Sequence, residues 1–389
     1  MPIVTNRWVI LLVLFLARTV MGLQFQAVAS TSSFLIEALA IDFATIGALI
    51  GLYMLPGIVI ALPGGVLGQR FGAKRVVLLG LLLMALGGAL MGLGSSLVTL
   101  AAGRVIAGAG AVLLNVLVTK MVADWFAGRE IVTAMGILVS GWPLGLALGL
   151  IGFAPLAAAY GWLAVMHIGA LSALIALVLV AWLYRDPPGL PAAPTARLAL
   201  ALSRREWLLV CLAGMIWCFF NVFYIVSVSF TPELFRARGF TLAEAGTIAS
   251  LISWSLIVSI PLGGYVAERF GRPNRIMVGS FLIAAAAAIA LPFTASVLLP
   301  YAALILVIGL PVGPMMALAA QALRPQNRAS GMGIFYTWYY AAMASLPGCA
   351  GLARDLSGSV AAPVLFAAAM LLLCTVTLLL FHAATRLPQ

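Results

Sequence analysis

The stretch GGVLGQRFGAKR, residues 64–75, returns later in the chain as GGYVAERFGRPNR, residues 263–275. A constant offset of 199 residues aligns Gly64 with Gly263, Gly65 with Gly264, Arg70 with Arg269, Phe71 with Phe270 and Gly72 with Gly271. A repeat of this kind indicates that the chain contains two related halves, each carrying one copy.

The sequence around the two copies is too apolar for a water-soluble domain. Of the 389 residues, 64% are hydrophobic and 8% are charged, and the mean hydropathy is +1.18. Soluble domains carry about 25% charged residues. We therefore predict an all-α integral membrane protein, because helices pair their own backbone hydrogen-bonding groups inside lipid.

Twelve windows are long enough to cross a hydrocarbon core of ~30 Å as transmembrane helices. They lie at residues 8–34, 43–68, 76–96, 99–123, 131–154, 162–184, 207–231, 243–267, 276–294, 297–322, 330–352 and 361–384. The long polar interruption at 185–206 separates the sixth window from the seventh. The predicted organisation is a six-helix half at 1–184, a cytoplasmic linker at 185–206 and a pseudo-symmetric six-helix half at 207–389.

The Lys and Arg residues are distributed asymmetrically between the two sides of this topology. Sixteen lie on one side and three on the other, with two more inside the spans. The positive-inside rule then places both termini in the cytoplasm of a plasma membrane, the bacterial inner membrane. Anionic lipid headgroups account for the net charge of +11, so we expect a lipid bilayer as partner and no nucleic acid.

Sequence motifs for enzymatic chemistry are missing. We find no phosphate-binding loop, paired catalytic carboxylates, nucleophile with a base, or metal-ligand cluster. The four cysteines lie within predicted spans without metal or redox spacing: Cys211, Cys218, Cys349 and Cys374. We therefore expect no enzymatic activity, no catalytic residue, no metal and no cofactor.

The paired loops resemble the signature loop of the major facilitator superfamily, in which a glycine, an acid, an arginine and a second glycine precede basic residues. The resemblance implies a secondary transporter that works by alternating access, with a central site near the bilayer midplane. It assigns gating or conformational roles to Gly65, Gln69, Arg70, Gly72, Gly264, Glu268, Arg269 and Gly271. The first copy departs from the pattern, because Gln69 stands where the family has an acid.

A more specific resemblance concerns the stretch FYIVSVSFTPELFRARGFTLAEAG, residues 223–246. Together with an arginine in the middle of the first span, it resembles the cyanate and 2-nitroimidazole transporter branch of that superfamily. The implied solute is cyanate-like, nitroimidazole-like or a small organic anion, moved alone or with a co-transported or exchanged ion. We expect the carrier to be a monomer.

Two other functions stay open at this stage. One is proton-coupled efflux of hydrophobic drugs, which would lead us to expect a titratable carboxylate at midplane depth, where none of the ten acids falls. The other is a membrane receptor or scaffold that uses the same fold without moving a solute. An uptake assay in vesicles separates a carrier from a scaffold.

Arg18 lies near the middle of the first span. Counted from Trp8 at 1.5 Å per residue, it is ~15 Å into the bilayer. A central arginine costs roughly 2.5–3.5 kcal/mol on insertion scales, so it should face protein or a water-filled cavity. Two interpretations remain: it binds an anionic substrate, or it pairs structurally with carbonyls or a carboxylate.

Other candidate substrate-binding residues share central depth, and several share a helical face. The full set is Arg18, Gln26, Tyr53, Asn115, Trp142, Trp217, Asn221, Tyr224, Trp254, Tyr336 and Tyr340. Aromatic residues normally concentrate at membrane interfaces, so this central group predicts an apolar-aromatic pocket with one cation. Ordinary helix packing is the alternative for each member.

Two further features concern gating. Arg104 in GRVIAGAGA, residues 103–111, resembles the fourth-helix arginine motif of the superfamily, and either Glu37 or Asp42 could pair with it. Such a pair would serve an outer gate or proton coupling, or would be purely structural. GLPVGP, residues 309–314, interrupts the tenth span and predicts either a hinge or a simple kink.

Overall fold

The computed structural model describes residues 6–94, 96–126, 130–187, 202–321, 323 and 328–386. Within these ranges the structure does not describe the side chains of Gln69 and Glu268 or the surroundings of Gly65. All described secondary structure is helical, which confirms the predicted all-α class.

Eight helices form the described part of the chain before residue 188. They are α1 (Arg7–Ser30), α2 (Ser32–Leu39), α3 (Phe43–Leu52), α4 (Gly57–Phe71), α5 (Ala73–Leu93), α6 (Leu97–Trp125), α7 (Ile131–Tyr160) and α8 (Trp162–Leu183). The first predicted span is shorter than expected, because α1 ends at Ser30. The Thr31 hydroxyl donates to the Ala27 carbonyl at 2.7 Å at this boundary, a side-chain bond that competes with the helical ladder.

Seven helices are described after residue 201. They are α9 (Arg204–Ala237), α10 (Leu242–Phe270), α11 (Pro273–Ala290), α12 (Leu298–Val307), α13 (Val312–Gln321), α14 (Arg328–Ser357) and α15 (Ala362–Thr385). Polar residues define two of the starts: Ser203 and Glu206 form a capping box on α9, and Thr241 and Glu244 form one on α10.

The described helices account for the twelve predicted spans. Ten are long and apolar enough to cross a membrane, α3 with the start of α4 counting as one, and the pair α12 and α13 makes an eleventh. The twelfth is α14, whose 30 residues reach about 45 Å but include more polar side chains.

Two spans are interrupted at prolines. α12 and α13 meet at a 44° bend within GLPVGP, which confirms the interruption predicted there. The second span is also interrupted, at residues 53–56 between α3 and α4, where Gly57 N–H donates to the Met54 carbonyl at 2.9 Å. Pro56 has no N–H for the helical bond to Leu52, which explains the break.

The chain folds as two compact units. Unit 1 comprises residues 1–41 and 52–196, and unit 2 comprises residues 42–51 and 197–389. The predicted linker at 185–206 lies largely outside the described residues, so the boundaries of the two halves stay a prediction. A short piece of the second span, residues 42–51, belongs with the second unit.

Unit 1 packs α1 against α7 through a stripe of glycines. Gly141, Gly145 and Gly149 recur every fourth residue of α7, and a Cβ on Gly145 would overlap the Thr19 carbonyl of α1. Gly22 of α1 approaches the Trp142 carbonyl in the same way. Small residues let the backbones of two membrane helices approach closely. Close van der Waals contact then stabilises the pair, because helices surrounded by lipid gain no hydrophobic free energy by associating.

We expect Gly145→Ala to lower the melting temperature of the purified protein, because the added methyl overlaps α1 at an overpacking cost of about 1–3 kcal/mol. The matched control is Gly152→Ala on the same helix, where the new Cβ meets open space. This control should be neutral or should stabilise by up to ~1 kcal/mol through helix propensity. Equal melting shifts for the two variants would contradict the packing account.

Candidate functional site

Arg18 is a half-buried cation on α1 of unit 1. It lies eleven residues after Arg7, the start of the helix, so it is ~16 Å along an axis of about 36 Å. The glycine contacts of Gly22 and Gly145 fix the face that α1 turns to α7 and thereby the direction of Arg18 one turn earlier. Arg18 therefore lies in the middle part of α1, and its depth in the bilayer stays a prediction.

Two glutamines follow Arg18 on α1, and both are buried. Gln24 donates from Nε2 to the Met84 carbonyl of α5 at 2.8 Å. Gln26 donates to Ser30 Oγ at 3.3 Å, whereas its Oε1 has no donor among the described residues. Sequence reasoning selected Gln26 and missed Gln24, which is the amide that ties two helices together.

Arg104 of α6 is fully buried in unit 1. Its Nη1 donates to the carbonyl oxygens of Gln24 and Phe25, each at 3.2 Å. The guanidinium carbon lies 4.6 Å from the ring centroid of Tyr53 and 5.4 Å from that of Phe25. Carbonyl oxygens and ring faces are both partially negative, so this cage suits a desolvated cation.

Phe25 is the centre of the ring cluster in unit 1. Its ring centroid lies 5.5 Å from Tyr53 and 5.1 Å from Trp142, at tilted or edge-on angles that aromatic pairs favour. Three predicted residues, Tyr53, Trp142 and Arg104, are thus brought together through a phenylalanine that the sequence did not single out. Phe25 follows Arg18 at i+7, on the same face of α1, but an apolar aromatic residue in an apolar span carries no signal that would single it out.

The predicted residues of unit 1 differ in how far they are exposed, and therefore in whether a solute could contact them. Tyr53 is fully buried, and its hydroxyl makes long contacts of 3.4 Å with the Met21 carbonyl and Gln24 Oε1. A solute would contact Tyr53 only after a rearrangement. Asn115 and Trp142 are half-buried, like Arg18.

Unit 2 holds an aromatic cluster contributed by α9 and α14. Trp217 lies 6.1 Å from Phe335 and 6.5 Å from Tyr339 between ring centroids. Tyr339 in turn lies 6.4 Å from Tyr336 and 5.0 Å from Tyr340. The structure therefore brings together the predicted Trp217, Tyr336 and Tyr340, and it adds Phe335 and Tyr339 as the rings that connect them.

The remaining predicted residues of unit 2 have separate surroundings. Asn221 donates from Nδ2 to the Trp217 carbonyl of its own helix at 2.8 Å. Tyr224 is buried, with its hydroxyl 2.8 Å from Ser253 Oγ of α10. Trp254 is 38% exposed on α10. The buried indole N–H of Trp217 has no acceptor within the described part of the chain.

Both signature loops place their second glycine at positive φ, although the two ψ angles differ, at 134° for Gly72 and 24° for Gly271. Gly72 has φ +88° between α4 and α5, and Gly271 has φ +60° between α10 and α11. This left-handed backbone favours glycine, which explains the repeated residue. Arg70 and Arg269 are exposed, and Gly264 has open space around it.

Lys74 in the first loop caps the end of another helix. Its Nζ donates to the carbonyls of Ala181 and Tyr184, at 2.8 and 2.9 Å, at the C-terminus of α8. A cation is favourable there because the last carbonyls of a helix are unpaired and carry partial negative charge. Trp125 donates to the neighbouring Arg185 carbonyl at 2.9 Å.

The site residues offer a cation, amides and aromatic faces rather than metal ligands. The described residues contain no group of three or more His, Cys, Asp or Glu side chains arranged to hold a metal ion. Such surfaces bind by hydrogen bonding, charge and stacking.

The protein has membrane-spanning helices in two units, and each unit carries one copy of a loop with a glycine at positive φ. These features define an integral membrane protein of the transporter-fold class. The chain belongs to the Major Facilitator Superfamily, whose family model matches residues 14–231 and 212–388. This membership confirms the superfamily resemblance seen in the paired loops.

Curated relatives match parts of the chain. An uncharacterised transporter of this superfamily from Mycobacterium tuberculosis is 43% identical over 65 residues, which are 16% of this chain and 15% of the relative. The hexuronate transporter of Bacillus subtilis is 21% identical over 272 residues, 67% of this chain and 64% of the relative. The matched regions thus span less than two thirds of these relatives.

Solved structures share the fold. A bacterial homologue of the human lysosomal transporter Spinster, inward-facing and unoccupied, has a TM-score of 0.76 at 16% identity, covering 98% of this chain and 97% of that one. A nucleoside transporter has a TM-score of 0.77 at 17% identity, covering 98% and 100%. A D-xylose–proton symporter has a TM-score of 0.75 at 17% identity, covering 95% and 97%. These likenesses support the twelve-helix architecture.

We expect Arg104→Lys to lower the melting temperature nearly as much as Arg104→Ala. A lysine keeps the charge but cannot present a planar guanidinium to two carbonyls and two rings. The matched control is Tyr53→Phe, which keeps the ring face and removes only long hydroxyl contacts, so its cost should stay below ~1 kcal/mol. Full stability of Arg104→Lys would contradict the cage.

Proposed function

We propose that the chain is a secondary active transporter that moves a small anion or small polar solute by alternating access. Membership of the superfamily supports transport, and the curated relatives and solved neighbours are named as transporters. With no nucleotide-binding motif in the sequence, transport would run on existing gradients.

Arg18 is the observation that carries the choice of solute. It is a permanent cation at central depth, half-buried, on a helix whose orientation is fixed by glycine contacts. Intramembrane cations are costly and mark substrate pathways. The hexuronate transporter among the relatives carries the name of a sugar acid, which supports an anionic solute.

The aromatic cluster of unit 2 supports a solute with a flat or polarised face. Trp217, Tyr336 and Tyr339 are half-buried rings that can stack on a planar group. Cyanate-like ions, nitroimidazole-like rings and small organic anions are the candidates within this class. A sugar or nucleoside is the broader alternative suggested by the names of the solved neighbours.

Orientation and assembly complete the proposal. The Lys and Arg asymmetry supports cytoplasmic termini in a bacterial inner membrane. Transport by a monomer, alone or with a co-transported or exchanged ion, is the simplest arrangement for a chain that contains both related halves.

We expect Arg18→Gln to reduce uptake of the anionic substrate by about 10- to 100-fold, the equivalent of one lost charge-assisted hydrogen bond. Uptake into proteoliposomes is the measurement, with cyanate, a hexuronate, a nitroimidazole, xylose and a nucleoside as test solutes. Arg386→Gln removes an exposed positive charge and serves as the matched control, with unchanged uptake expected.

A thermal-shift screen of the purified protein against the same solutes tests binding separately, because a ligand of the folded state raises the melting temperature. The stabilising solute should lose its effect in Arg18→Gln but keep it in Arg386→Gln. Undiminished uptake and binding in folded Arg18→Gln would remove Arg18 from the site.

A further inference from the structure

The break between α12 and α13 leaves two backbone carbonyl groups of unit 2 without donors. The Val312 N–H, the usual helical partner of the Ile308 carbonyl, donates to the Gly309 carbonyl instead, at 3.3 Å. Pro314 has no N–H for the Leu310 carbonyl, four residues earlier. No other donor reaches either carbonyl from the described part of the chain. The break therefore holds two unpaired oxygen atoms inside a membrane span, where lipid offers no partner.

Helix α10 packs against this break, and a serine hydroxyl points at it. A Cβ on Gly309 would overlap Ser259 Oγ, and it would lie 3.0 Å from the Ile260 nitrogen. One turn further along α10, a Cβ on Gly263 would overlap the Leu310 carbonyl oxygen. Residues four apart on a helix share a face, at about 5–6 Å between their Cβ positions. The hydroxyl and the carbonyl oxygen therefore lie at the same helix contact, one turn apart.

Ser259 differs from the neighbouring serines of α10. It is 7% exposed, and its Oγ has no hydrogen-bond partner among the described residues. Ser250 donates to the Thr247 carbonyl at 2.7 Å, and Ser255 donates to the Ile252 carbonyl at 2.8 Å, so both are paired within the helix. A buried hydroxyl without a partner is destabilising, and its presence at an open carbonyl pair points to a ligand between them.

The chemistry of these groups favours a monovalent cation. Carbonyl oxygens can only accept, and they are joined by the partial negative charge at the C-terminus of α12, which ends at Val307. Divalent cations normally recruit carboxylates, and residues 245–267 and 298–321 contain no Asp or Glu. In transporters with broken membrane helices, unwound carbonyls of this kind coordinate Na⁺.

The position of the break also bears on the ion that drives transport. The break begins ten residues after Leu298, ~15 Å along its span, and therefore near the middle of that span. None of the ten Asp and Glu residues is predicted at midplane depth, so the sequence offers no carboxylate to carry a proton there. A Na⁺ ion needs only neutral oxygen ligands, which the break supplies.

We propose that the α12–α13 break and α10 form a binding site for Na⁺. Its ligands are Ser259 Oγ and the carbonyl oxygens of Ile308 and Leu310, with water completing the coordination shell. The bound Na⁺ is the co-transported ion of the carrier. This coupling role rests on the transport function proposed above, whereas the binding of the ion does not.

Thermal stability of the purified protein in different salts tests the site without any solute. At equal ionic strength, Na⁺ should raise the melting temperature above its value in K⁺ or choline, because an ion that binds the folded state stabilises it. Ser259→Ala should weaken the apparent affinity for Na⁺ by about tenfold or more, since a hydroxyl ligand to a charge is lost. In choline the same variant should melt no lower than the wild type, because it removes a buried hydroxyl that lacks a partner.

Pro314→Ala removes a second ligand without changing Ser259. The new N–H can pair the Leu310 carbonyl, so the stabilisation by Na⁺ should weaken in this variant as well. Ser250→Ala and Pro363→Ala are the matched controls, because one hydroxyl is paired within α10 and the other proline stands in the first turn of α15, where an N–H has no helical partner. Both controls should keep the full effect of Na⁺.

Two results would overturn the site. The first is a wild-type melting temperature that is equal in Na⁺, K⁺ and choline, which would indicate that water alone fills the contact. The second is an undiminished effect of Na⁺ in folded Ser259→Ala.

An imposed ion gradient tests coupling. Uptake into proteoliposomes of a transported test solute should be several-fold faster with external Na⁺ than with external K⁺, in the wild type and in Ser250→Ala but not in Ser259→Ala. Uptake that ignores the Na⁺ gradient would overturn the coupling role.

The two arms separate this inference from the proposed function. If none of the test solutes is taken up but Na⁺ stabilises the wild type and not Ser259→Ala, the proposed solute class fails and the ion site stands. If uptake is normal and Na⁺ changes neither stability nor uptake, the transporter stands and the ion site fails.

Discussion

A polar group that leaves water needs a hydrogen-bond partner inside the protein, and this constraint shapes several helix ends and the arginines within the spans. In both units, a side chain of one helix pairs the terminal backbone groups of a neighbouring helix. Lys74 of α5 caps the carbonyls at the end of α8, and Asp355 of α14 caps the N–H groups at the start of α3. Because cations pair with helix C-termini and anions with N-termini, these caps also set which helices are tied together.

The two arginines inside the spans meet the same constraint in different ways. Arg104 is enclosed by carbonyl oxygens and ring faces, so its charge is neutralised within unit 1 and contributes to packing. Arg18 is a half-buried residue in the middle part of α1. A buried cation that is caged stabilises a helix bundle, whereas one that keeps an accessible surface can also recognise a solute.

Much of the architecture could be predicted from the sequence, because it follows from simple periodic signals. Hydropathy predicted the positions of the spans. The repeated loop indicated the superfamily, and its glycines Gly72 and Gly271 have the positive φ that explains their repetition. The tenth-span interruption followed from two prolines and two glycines. The break at Pro56 was missed because one proline inside an apolar run is common in membrane helices.

The site was harder to predict, because side-chain neighbours across helices leave no local signal. Phe25 joins the rings within unit 1, and Tyr339 joins those within unit 2, yet each is an ordinary aromatic residue in its own segment. The sequence suggested Glu37 or Asp42 as partners of Arg104, since pattern reasoning pairs opposite charges. It could not indicate backbone carbonyls or ring faces, which every helix offers.

The length of α9 has a mechanical consequence. This helix has 34 residues and is about 51 Å long. It carries Trp217 of the aromatic cluster and, sixteen positions later and ~24 Å along its axis, Glu233, which forms an ion pair with Arg354 of α14. A tilt of about 10° around Trp217 would displace Glu233 by ~4 Å, enough to separate an ion pair. In a straight helix of this length, a small tilt at the rings would therefore be accompanied by a larger displacement at the end that carries Glu233.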